Sequence, residues 1–166
     1  MKRRILTAAL VVLLGAGAAS CAGEDQMGSP AHRLSVWVRG TGLGEDIGTL
    51  VADNARIPKV VPNGTKAVHA ACGTMEDDAD TANDELPTPD PTVTDWLSSA
   101  YGLEGTAATD CYNAGSTNKK LLAKAEASAK RADLLYERAL IRIQSIDGVL
   151  PSTTTTTNNA PTSIFG

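Results

Sequence analysis

The chain is short of most of what a sheet-rich or catalytic protein draws on. Only one Phe, two Trp and three Tyr occur among 166 residues, too few flat rings for the alternating core of a β-sandwich. His32 and His69 are the only imidazoles. Neither follows an acidic residue by three, so the Glu-x-x-His pairs of bundle di-iron sites are missing. The three cysteines, Cys21, Cys72 and Cys111, contain no Cys-x-x-Cys pair, which removes the common redox motif. There is no Gly-x-Ser-x-Gly elbow and no phosphate loop. Lys and Arg are absent from residues 67–118. Outside residues 5–19 no uncharged apolar run approaches bilayer length, and that run is itself short.

Its position gives that run its meaning. Lys2, Arg3 and Arg4 precede it and small residues follow it, the layout of a secretory signal over residues 1–20. Two processing routes compete. An ordinary peptidase cut after Ala19 would release a secreted protein with Cys21 as a free thiol. Alternatively, Ala18-Ala19-Ser20-Cys21 resembles a bacterial lipobox, whose cysteine receives a diacylglycerol before cleavage in front of it; Ala18 stands where that motif usually has Leu. Lipidation would leave an even pair of cysteines, whereas an odd one is a liability in an exported protein. It is the favoured reading, and it makes residues 21–30 a short tether to the outer face of a membrane.

Loss of the basic leader takes the formal charge from -4 to -7, the wrong sign for generic nucleic-acid binding. Residues 31–148 are one domain's worth of chain. Their alanines and aliphatics recur at helical spacing, which predicts an all-α antiparallel bundle of about four helices. The last helix is the most regular: Leu122, Ala125, Ala129, Ala132, Tyr136, Ala139, Ile143 and Ile146 step by three and four. A helix over about 65–85 carries Val68, Cys72, Met75, Ala79 and Ala82. After the break at Leu86-Pro87-Thr88-Pro89-Asp90-Pro91, a third runs to about 113 with an expected stripe of Trp96, Ala100, Leu103, Ala107, Cys111 and Ala114. Cys72 and Cys111 then face each other across two antiparallel helices, and an oxidising compartment would pair them.

The N-terminal part is less regular. Gly40-Thr41-Gly42-Leu43-Gly44 hints at a dinucleotide loop, but Glu45 stands at the third glycine position and no further strand exists to build the unit. A helix over 31–39, a glycine hinge and a helix carrying Ile47, Leu50, Val51 and Ile57 that ends or kinks at Pro58 is the better expectation. The Thr- and Asn-rich residues 149–166 are low-complexity, and disorder is expected there.

Candidate chemistry is thin. A calcium loop counted from Asp78 has Ala82 at its fifth position and Asn83 where glycine is required; Asp77, Asp80 and Asp84 form an exposed acidic stripe instead. His69 precedes Cys72 by three, a metal-like spacing that a disulfide would disable. No cofactor or metal is expected. Trp37, Trp96 and Tyr101, with Asp77, Asp80 and Asp84, are the residues expected to offer a ligand or partner surface.

The lipobox-like start, Cys72, the Leu86-Pro87-Thr88-Pro89-Asp90 turn and Ala108-Thr109-Asp110-Cys111-Tyr112-Asn113-Ala114-Gly115 together resemble the small, helical, cysteine-paired lipoproteins of actinobacteria. The resemblance implies a lipid-anchored extracytoplasmic protein and carries no activity with it. The expected function is therefore a non-enzymatic binding or envelope-interaction module, with membrane lipid as a partner through Cys21 and an envelope protein or small ligand as the second. A small-ligand or metal-ion carrier is the alternative, and an enzyme of unrecognised type the third.

Overall fold

The computed structural model describes residues 28–147; the expectations for the leader, the Cys21 anchor and the tail concern segments outside them. Helix starts and stops follow from local chemistry. Ser29 accepts a hydrogen bond from the His32 amide and Pro30 opens α1 (Pro30–Thr41). Asp90 accepts from the Val93 amide and Pro91 opens α4 (Pro91–Ala114). These are side-chain caps followed by a proline whose missing N–H costs nothing in a first turn. Between them lie α2 (Leu43–Val60), a three-residue 3-10 turn (Val61–Asn63) and α3 (Thr65–Asp84). The chain closes with α5 (Lys119–Asp147). The described residues contain no strand.

Two glycines make corners that other residues would strain. Gly42, at φ 74°, is the expected hinge between α1 and α2. Gly115, at φ 54°, ends α4 where a Cβ would come within 2.9 Å of Thr65, so both backbone and space exclude a side chain there.

Polar contacts at the helix ends fix the directions. The start of α3 meets the end of α4 through Thr65 and Ser116. The start of α4 meets the end of α5 through Asp90 and Arg142, 3.0 Å apart. At the other end, Lys124 reaches Asp110 at 3.0 Å. Helices α3, α4 and α5 are therefore antiparallel in sequence, with α4 in the middle, and α2 packs chiefly on α3. The expected bundle is present, with a short α1 as a fifth helix.

The expected Cys72–Cys111 bridge is also present, with Cα atoms 5.9 Å apart and both cysteines buried. Two expectations need correcting. Of the end or kink expected at Pro58, the end does not occur: α2 continues to Val60 before tightening, without the hydrogen bond that Pro58 cannot donate. The buried face of α4 is also rotated from the expected stripe: Val93, Leu97, Ala100, Tyr101, Glu104, Ala107, Ala108, Cys111 and Ala114 are buried, while Trp96 and Leu103 sit only partly covered at its edge.

The bridge ties residues 39 apart. On the loop-entropy model its removal by the paired changes Cys72→Ala and Cys111→Ala lowers unfolding free energy by about 4 kcal/mol. Urea denaturation under non-reducing conditions measures this, and a loss below about 1 kcal/mol would show that the helices already restrict the unfolded chain as much as the bridge does.

Candidate functional site

The core is two apolar clusters rather than one. The first joins Leu34, Leu43, Ile47, Leu50, Leu97 and Ile143 with their neighbours. The second gathers Val68, Cys72, Met75, Ala107, Cys111 and Ala129 around the disulfide. Between them in sequence order on each helix stand polar residues: Asp53 and Asn54 on α2, Asp78 on α3 and Glu104 on α4.

Glu104 is completely buried, at 0 % exposure. A carboxylate in such a place needs a partner, and Asn54 supplies it. Its Nδ2 donates to both carboxylate oxygens, at 3.0 and 3.1 Å. Burial pushes the Glu104 carboxyl up to about 7; the Asn54 bond works against that rise, and the negative charges of Asp133 and Asp53 add to it. Asp53 is buried as well, and its Oδ2 has no hydrogen-bond partner. Burial and the neighbouring Asp78 carboxyl raise it to about 6, against the pull of Arg56. Tyr101 and Tyr136 pack with ring centroids 5.8 Å apart, and burial holds both phenols well above their ordinary range. The Tyr136 hydroxyl is also without a partner.

Beside this layer lies an apolar cavity. Because α2 leans on α3 and only lightly on α5, a cavity of about 190 Å³ remains between α2 and α5. Val51, Ile57, Met75, Ala107, Leu122 and Ala129 form its apolar walls, and Asn54, Glu126, Lys130 and Asp133 are its polar members. Val51 and Asp133 also border a shallower groove of about 380 Å³, whose further walls include Ile47, Tyr136, Leu140 and Ile141. Ile141 is 58 % exposed and Val51 46 % exposed, so the groove's apolar surface meets solvent.

The residues expected to form a surface site are scattered. Asp77, Asp80 and Asp84 are exposed on α3, and the described residues hold no group of three or more His, Cys, Asp or Glu suited to a metal ion. Trp37 is partly buried on α1, its Nε1 donating to the Glu85 carbonyl at 3.2 Å. Trp96 packs at the edge of the first cluster. Tyr101 is only 3 % exposed and offers no surface, because α4 turns it inward against Tyr136. His69 stacks on Tyr112, with centroids 4.0 Å apart, beside the bonded Cys72. None of these lines the cavity.

No family model matches the chain, and no curated protein or solved structure is similar to it.

The buried carboxyls set the response to pH. A carboxyl raised in the folded state favours folding most when protonated, so its support is complete below about 4.5 and is lost as pH rises through about 7. A rise of this size corresponds to about 3 kcal/mol, and Asp53 acts in the same direction. Asp90, where burial is outweighed by the Val93 amide and Arg142, is held below its ordinary value, so its support is lost only on the acid side of that value. Urea midpoints should therefore rise between about pH 8 and about pH 5, and Glu104→Gln should flatten that slope while stabilising the protein at the higher pH. A midpoint that climbs with pH in the unaltered protein would contradict this account.

Proposed function

We propose that this protein is a non-enzymatic binding module held on the extracytoplasmic face of a membrane through a lipidated Cys21, and that the cavity between α2 and α5 receives its small-molecule ligand. The observation that carries the binding part is the cavity itself. Protein interiors are close-packed, with few voids larger than water, yet this one persists between two well-formed helices. Its walls are apolar, its few polar groups lie at defined points, and exposed Lys130 at its rim puts one side at the surface. That is the character of a small-molecule site.

The enzyme reading has less support. Glu104, the most strongly buried ionisable group, is not among the cavity's lining side chains and its oxygens are engaged by Asn54. The anchor rests on the Cys21 sequence context and on the even pairing of the other two cysteines. Two acyl chains suffice for stable attachment. The carrier role follows from the same cavity, so that anchoring and binding are separate claims with separate tests.

Cys21→Ser should move the protein from the membrane fraction to the medium; equal membrane retention of the variant would refute the anchor. For the cavity, a void of about 150 Å³ is known to hold benzene, so indole or toluene should bind saturably in calorimetric titration. Ala129→Phe should fill the space and abolish that binding with the helical circular dichroism unchanged. Ala55→Phe, at the partly exposed α2 wall, tests the same point should the first substitution disturb the core. Titrations that stay flat for the unaltered protein would remove the proposal.

A further inference from the structure

We infer that the cavity's ligand is a lipophilic amine: a cationic hydrogen-bond donor on an apolar body about the size of one aromatic ring and a short chain. The inference rests on the reading of the cavity as a binding site and concerns what that site selects.

Apart from Lys130, the charged groups of the lining are the acceptors Glu126 and Asp133, and Asn54 is the fourth polar member. Asn54 is committed in one direction, because its Nδ2 is held by both oxygens of Glu104 at 3.0 and 3.1 Å. With Glu104 ionised, the Asn54 nitrogen is the atom turned to it, and Oδ1 keeps its capacity to accept. Pro58, also in the wall, has no N–H and deprives the Asn54 backbone carbonyl of its helical donor. Asn54 thus brings acceptor capacity to the residues that line the space.

The charges agree. Lys130 is the only cation among the lining residues of either space, and it is paired with Glu126 one turn away on α5. Its charge is cancelled locally. Asp133 borders both the cavity and the groove, and Glu137 borders the groove; neither forms an ion pair among the described residues. Behind the wall, Asp53 and the ionised fraction of Glu104 add further negative potential in a medium that screens it poorly. An anionic head, as on a fatty acid, would meet acceptors and carboxylates with no free donor. An ammonium at the Val51–Asp133 junction would find Asp133 in front and the apolar walls for its body. A group one aromatic ring in size suits the volume, since about 150 Å³ accommodates benzene.

The test uses three probes of matched shape on the full chain: phenethylamine, phenethyl alcohol and phenylacetate, each titrated by calorimetry. The amine should bind about tenfold more tightly than the alcohol, in line with one hydrogen bond to a charged group, and phenylacetate should be the weakest. Asp133→Asn should bring the amine's affinity down to that of the alcohol with the helical circular dichroism unchanged, which a general loss of folding would not do. Equal binding of amine and alcohol, or preference for phenylacetate, would overturn the inference while leaving the cavity as a binding site. Failure of all three to bind would overturn both.

Discussion

The bond between Asn54 and Glu104 is the constraint on which the rest of the arrangement depends. A carboxylate at 0 % exposure is tolerable only with a donor at hand, and α2 must therefore present Asn54 at one height on α4. A slip of α2 by one residue would turn Asp53 or Ala55 toward Glu104, placing either a second carboxylate or a methyl against it. Both alternatives leave the charge uncompensated. Register between the two helices is thereby set by one side-chain pair, with apolar packing above and below it.

That register explains the cavity. With α2 drawn toward α3, its outer edge does not close on α5, and small side chains (Ala55, Ala125 and Ala129) leave the gap unfilled. The disulfide clamps α3 to α4 in the second apolar cluster, so neither helix is free to shift and collapse the space. At the other end, Asp90 caps α4 and binds Arg142 of α5 with its other oxygen, holding that pair of helices in line. Three fixed contacts thus hold the helices that surround the void.

Much of the fold was legible because its signals were periodic. The α5 stripe, the α3 stripe, the proline-rich turn and the Cys72–Cys111 pair all rest on spacing or on caps, and those survive into the structure. The α4 face was misjudged because its apolar residues allow two readings. Trp96 and Leu103 drew the stripe to one side, while Val93, Leu97, Ala100, Ala107 and Cys111 form an equally regular one. Glu104 falls in register with that second stripe, and a charge in an apolar register is the signal that would have exposed it. Asp53 and Asp78 were harder to find. Each lies among exposed polar neighbours, and only the approach of α2 to α3 separates Asp78 from Asp77 and Asp80. The cavity had no sequence signal, because it is a property of how α2 and α5 fail to meet.

The buried carboxylate also bears on the proposal that the gap takes a ligand. Its charged form opposes folding by about 3 kcal/mol at neutral pH, a penalty of the same size as the support expected from the disulfide. A core built for stability alone would hold a leucine at that position in α4, where its apolar neighbours Ala100, Tyr101, Ala107 and Ala108 already surround it. Replacing the acid would free the Asn54 amide nitrogen and would remove the negative potential of its ionised form. In the proposed reading the acid therefore does two things for the same space: it engages the Asn54 nitrogen, and when ionised it favours a positively charged ligand over a negative one. Both effects act through contacts on α2 and α4, away from the solvent-facing charges of α3 that first drew notice in the sequence.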